Sequence, residues 1–131
     1  MTEGFRIRHT MVRVADLEKS VDFYTRLLGM AVQRRRDNPD EAVAYVGYGE
    51  EDHNHAIELI HEPARDAAFE MGNCYGHVAL AVPDLYALCE TLEKEGVEFR
   101  QAAGPIRPGS ANLLAFIRDP DGYEIELTER H

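Results

Sequence analysis

His9-Thr10-Met11-Val12-Arg13-Val14-Ala15-Asp16-Leu17 is answered 68 residues later by His77-Val78-Ala79-Leu80-Ala81-Val82-Pro83-Asp84-Leu85. The same His, Val, Asp and Leu in the same order mark an internal repeat. Further along, Ile57-Glu58-Leu59 and Ile125-Glu126-Leu127 stand at the same offset, so each half carries a His followed 49 residues later by a Glu. Working outward from these segments, residues 7–14 read as a strand. Asp16 is an N-cap with acidic Glu18 in the first turn of the helix that follows. Leu17, Val21, Tyr24 and Leu28 share one helical face, and Gly29 ends the run. The second half repeats the plan, with a strand over 78–82, Asp84 as cap, Leu85, Leu88 and Leu92 as the buried stripe, and Gly96 as the stop. Shorter β-rich runs follow each helix, including 42–48 with 56–60 and 113–117 with 123–128. The last pair is joined by Asp119-Pro120-Asp121-Gly122, a strong turn sequence because Pro fixes φ and Gly tolerates positive φ. The expected class is α+β: one domain of two tandem βαβββ modules, about 5–62 and 73–130, with no flexible linker between them.

Strand alternation then sorts the side chains. Ile7, His9, Met11 and Arg13 point one way, Arg8, Thr10, Val12 and Val14 the other. In the second module His77, Ala79 and Ala81 oppose Val78, Leu80 and Val82, which are the natural surface for the helix. Ile57, Leu59, Ile125 and Leu127 would face the helices too, leaving Glu58 and Glu126 on the side of the two histidines. A carboxylate flanked by apolar neighbours is costly to bury unless neutralised. Two imidazoles and two carboxylates on matching faces therefore point to a divalent cation, and an N2O2 donor set suits first-row metals while leaving positions for water or substrate. His53-Asn54-His55, where the first hairpin turn should fall, has neither a repeat partner nor a flanking zinc pattern and is not assigned to the site.

Composition bounds the rest. At 131 residues, 44% hydrophobic and 29% charged, the chain has the size and profile of a soluble globular domain. It shows no uninterrupted apolar run of the roughly 18 residues a membrane span needs, and no secretory signal pattern, so a cytoplasmic location is expected. Cys74 and Cys89 are too few for a disulfide framework and lack zinc spacing. A formal net charge of -10 argues against nucleic acid or an anionic membrane as partner. The local exception, Arg34-Arg35-Arg36, reads as a solvated strand end or loop.

The segments His9-Thr10-Met11-Val12-Arg13-Val14, Phe23-Tyr24 to Leu28-Gly29-Met30, Tyr45-Val46-Gly47-Tyr48-Gly49, Ile57-Glu58-Leu59, Tyr75-Gly76-His77-Val78-Ala79-Leu80 and Asp119-Pro120-Asp121-Gly122-Tyr123 to Ile125-Glu126-Leu127 together carry a family likeness. The chain resembles the short bacterial form of glyoxalase I, the lactoylglutathione lyases, within the vicinal oxygen chelate superfamily. The resemblance implies an open, cup-shaped eight-stranded sheet, a homodimer, and one divalent metal held by His9, Glu58, His77 and Glu126 with two waters. It favours nickel or cobalt over zinc, and makes glutathione the co-substrate.

The implied reaction converts the hemithioacetal of methylglyoxal and glutathione to S-D-lactoylglutathione. The metal stabilises an enediolate, Glu126 acts as principal base, and Glu58 is its counterpart. Arg13 lies four residues from His9 on the same strand face, about 13 Å away at roughly 3.3 Å per residue, a span that suits a tripeptide carboxylate. It also matches a glutathione-contacting Arg of the family, and Arg107 is a second candidate. Where family members carry Asn-Trp-Gly after the first Glu ligand, this chain reads Ile60-His61-Glu62-Pro63 and has no Trp, which puts an acidic residue near the expected Asn. The alternatives within the superfamily are a methylmalonyl-CoA epimerase-like isomerase, a dioxygenase, and a non-catalytic drug-binding resistance module.

Overall fold

The computed structural model describes residues 1–65 and 68–131. These form two compact units, Met1–Ala68 and Phe69–His131, each built on one plan. In the first unit β1 (His9–Arg13) leads into α1 (Leu17–Asp22), a π-helical turn over Phe23–Leu27, and then β2 (Ala31–Asp37), β3 (Ala42–Gly47) and β4 (Ala56–His61). In the second, β5 (Val78–Ala81) leads into α2 (Leu85–Lys94), then β6 (Phe99–Pro105), β7 (Leu113–Arg118) and β8 (Glu124–Glu129). The α+β class and the duplicated βαβββ order are those expected from the repeat. The eight strands hydrogen-bond as two four-stranded sheets, ordered β1-β4-β3-β2 and β5-β8-β7-β6. In each, the first and last strands pair in parallel and the other pairings are antiparallel.

The helix starts follow from local chemistry. The Asp16 carboxylate accepts from the Lys19 amide at 3.1 Å and Asp84 accepts from that of Ala87 at 3.1 Å, so each cap satisfies an otherwise orphaned N–H. Both helices stop at a glycine of positive φ, Gly29 at 74° and Gly96 at 79°, a conformation other residues adopt only at a cost. The first helix departs from the expected regular run. After Asp22 it widens, with the Leu28 amide reaching back five residues to the Phe23 carbonyl at 3.3 Å, and the Thr25 hydroxyl bonds the Val21 carbonyl at 2.7 Å. The widening shifts the helical phase, so adjacent Phe23 and Tyr24 are both buried while Val21 is only half-buried. In α2 the buried stripe is Leu85, Cys89 and Leu92; Leu88, expected there, lies at its half-buried margin. Burial pushes the Cys89 thiol up to about 11.

Helix α1 packs on β3 and β4, and α2 on β6, β7 and β8. Strand β4 lies between β1 and β3, and its residues 56–60 are all buried, so Glu58 sits in the interior of its sheet. Strand β8, between β5 and β7, keeps the alternation expected of it: Ile125 and Leu127 are buried and Glu126 is half-buried. Strand β2 holds Arg34, Arg35 and Arg36, exposed as expected, with each guanidinium on a carboxylate: Glu51 at 2.9 Å, Glu18 at 2.5 Å and Glu41 at 2.8 Å. No helix among the described residues is long and apolar enough to cross a membrane.

Candidate active site

Glu58 is 6% exposed and stands directly opposite Met11 on β1 and Tyr45 on β3. The Tyr45 hydroxyl donates to its Oε2, and Arg36 Nη2 lies 3.5 Å from the same oxygen. The other oxygen, Oε1, faces His9 Nε2 at 3.4 Å. His9 precedes Met11 by two residues, which makes it a diagonal neighbour of Glu58 on the same face, as strand parity requires. Its ring meets that of Tyr45 edge-on, with centroids 5.5 Å apart and planes at 79°. The Arg34 guanidinium lies 4.0 Å from the Tyr45 centroid and holds the Glu51 carboxyl below its ordinary range.

The second unit repeats this arrangement with Phe116 in place of Tyr45 and, among the described residues, without the contact that Arg36 makes in the first. Glu126 stands opposite Ala79 on β5 and Phe116 on β7. His77, two residues before Ala79, brings Nε2 to 3.8 Å from Glu126 Oε2 and meets the Phe116 ring edge-on at 5.2 Å and 80°. The Arg100 guanidinium lies 4.0 Å from the Phe116 centroid and donates to Glu124 at 2.7 Å. Beside His77 opens a cavity of about 200 Å³ lined by Met71, Tyr75, Glu124 and three glycines. Burial, with Asp119 and Glu124 nearby, raises the Tyr75 phenol above its ordinary value.

Each His–Glu pair suits a shared cation. Two donors about 2.1 Å from one ion stand at most about 4.2 Å apart, and both observed separations fall inside that limit. The donor types suit a first-row divalent metal. Among the described residues no group of three or more His, Cys, Asp or Glu side chains forms a metal-holding cluster; what is assembled is one pair in each unit. Of the two candidate anion contacts, Arg13 is engaged by Glu62, Nε to Oε1 at 2.9 Å, with Arg65 3.6 Å from the other carboxylate oxygen. Arg107 is exposed in the turn between β6 and β7. His53 and His55 lie between β3 and β4, where His55 Nε2 is 2.9 Å from the Thr10 hydroxyl.

Sequence reasoning missed Tyr45 and Arg36 as partners of Glu58. The available signal was Ala44-Tyr45-Val46 against Ala115-Phe116-Ile117, hidden because that pair is offset by 71 residues rather than 68.

Residues 6–127 match the sequence model of the Glyoxalase/Bleomycin resistance protein/Dioxygenase superfamily, and the chain belongs to that family. Within it, the relatives are of the kind the motifs implied. The lactoylglutathione lyase of Neisseria meningitidis serogroup A is 42% identical over 95% of this chain and 91% of its own length. That of Escherichia coli O157:H7 is 44% identical over 95% and 92%. Glyoxalase I from Zea mays superposes with a TM-score of 0.89 at 37% identity over 95% of this chain, which spans 44% of the maize chain. The trypanothione-dependent glyoxalase I of Leishmania major superposes at 0.84 with 35% identity, over 96% of this chain and 87% of its own.

Proposed function

We propose that the chain is a divalent-metal-dependent lactoylglutathione lyase, converting the hemithioacetal of methylglyoxal and glutathione to S-D-lactoylglutathione, with His9, Glu58, His77 and Glu126 as metal ligands. The observation that carries this reading is the duplicated His–Glu pair, each Glu standing opposite the residue two places after its His in the parallel pairing of both units. The names of the Neisseria and Escherichia relatives support the substrate. The bound cation, nickel or cobalt by the resemblance, would supply Lewis acidity where negative charge develops on the substrate oxygens.

The chain itself must move the carbon-bound proton to the adjacent carbon, while the hydroxyl proton on the sulfur-bearing carbon passes to the neighbouring carbonyl oxygen. Glu126 takes the carbon-bound proton from the carbon bearing sulfur and delivers it to the neighbouring carbon. Its side chain, 21% exposed, has room to swing, whereas that of Glu58 is 9% exposed and held at one oxygen by Tyr45. Arg13 receives a glutathione carboxylate in exchange for Glu62, and Arg107 is the second candidate contact. The active form is a homodimer.

The test is thioester formation from methylglyoxal and glutathione by protein stripped of metal and reloaded with nickel, cobalt, zinc or nothing. Turnover that returns with nickel or cobalt and is lost in Glu126→Gln is expected. Turnover indifferent to metal, or retained in that variant, would refute the assignment.

A further inference from the structure

The repeat makes the two carboxylates equivalent by position, and the groups on Glu58 Oε2, the Tyr45 hydroxyl with Arg36 beside it, make them different. Tyr45 and Phe116 occupy the same place in their units: each is the antiparallel partner of the ligand Glu, meets the ligand His edge-on, and lies under an arginine whose guanidinium is 4.0 Å from the ring centroid. Only Tyr45 has a hydroxyl, and it is spent on Glu58 Oε2. With Arg36 also 3.5 Å from Oε2, that oxygen is turned from His9, and Oε1 is the one presented to the imidazole at 3.4 Å. A carboxylate fixed at one oxygen offers the other as a single, oriented donor. Phe116 can place no such restraint on Glu126.

We propose that Tyr45 is a positioning residue which locks Glu58 as the stationary ligand and so assigns the travelling proton to Glu126, the asymmetry between the two halves residing in the Tyr45 hydroxyl with Arg36 beside it. This rests on the lyase reading above, and two readouts separate it from that reading. The first is the nickel affinity of the stripped protein, measured by competition with a chelator. Removing a hydrogen bond that orients a metal ligand typically costs about 10–100-fold in affinity, so Tyr45→Phe should bind nickel at least about tenfold more weakly. The second is turnover at saturating nickel. Tyr45→Phe frees Glu58 to move, so adding it to Glu126→Gln should raise the residual kcat several-fold, a gain that a damaged fold would not give. Conversely, Phe116→Tyr installs the same restraint on Glu126 and should lower kcat about tenfold with KM little changed.

Unchanged nickel affinity in Tyr45→Phe, or a double variant no faster than Glu126→Gln alone, would overturn the proposal. If the parent binds nickel but forms no thioester, the lyase reading falls and the affinity comparison alone decides the role of Tyr45: weaker binding upholds the locking of Glu58, equal binding rejects it.

Discussion

Replacing Asp119 by Ala should unfasten the turn that aims Glu126. Asp119 is 5% exposed, and its Oδ1 accepts the backbone N–H groups of Asp121 and Tyr123, both at 2.9 Å. These bonds close the loop from β7 to β8, and Glu126 is three residues beyond Tyr123. A hydrogen bond to a charged acceptor contributes about 1.5–3 kcal/mol. Because Asp121 and Tyr123 are half-buried, water can replace part of each bond, so the lower end applies and the pair together is worth about 3 kcal/mol. The backbone bonds from Gly122 N–H to the Asp119 carbonyl and from Asp119 N–H to the Tyr123 carbonyl survive in the variant and keep the turn recognisable. With a urea m-value of about 2 kcal/mol per molar, the unfolding midpoint should fall by about 1.5 M. Asp119→Asn retains the acceptor oxygen and should lose no more than about half as much. A loss below about 1 kcal/mol in the Ala variant, or equal losses in both, would refute this account of the turn.

Glu62→Gln removes the charge that engages Arg13 and should lower KM for the hemithioacetal about threefold with kcat unchanged, on the scale of about 0.5–1 kcal/mol for an exposed pair; steady-state kinetics would show a higher or equal KM if Arg13 does not meet the substrate. The Leu85 amide and His131 hold the Glu129 carboxyl below its ordinary value of 4.5, so the stability it contributes is fully present above that pH and lost as pH falls through the lower folded-state value. The stability gap between the parent and Glu129→Gln should therefore close during acid titration followed by circular dichroism, and a gap that persists or widens in acid would be the wrong sign. Buried Cys89 should resist alkylation in the folded protein while exposed Cys74 reacts, one label per chain by mass spectrometry until denaturant is added.

The repeat made most of the fold legible. A His–Glu pair at constant spacing brought each His within reach of its Glu on one face, because residues alternate along β1, β5 and the first part of β8, with His77 just ahead of β5, and the two Asp caps fix where each helix begins. Three features were hidden. The π-helical turn, within which adjacent Phe23 and Tyr24 are both buried, is not expressed by a 3.6-residue period. The full burial of Glu58, against the half-burial of Glu126 on the equally central β8, goes with Tyr45 and Arg36 closing on its Oε2, contacts that residue order along one strand does not express. The Tyr45–Glu58 contact depends on hairpin register: Tyr45 precedes Glu58 by 13 residues and Phe116 precedes Glu126 by 10, so the longer first loop displaced a correspondence that distinguishes the two halves. The position of Arg13 suggested an anion contact, and its observed pairing with Glu62 depends on β1 running beside β4.

The central claim is that both His–Glu pairs serve one cation, and equilibrium nickel titration of the stripped protein with His9→Ala and His77→Ala alongside tests it most directly. One nickel per chain, with the same binding event weakened at least about a hundredfold by either substitution, is the predicted result. Two independent nickel ions per chain, or an affinity that depends on only one of the histidines, would contradict it.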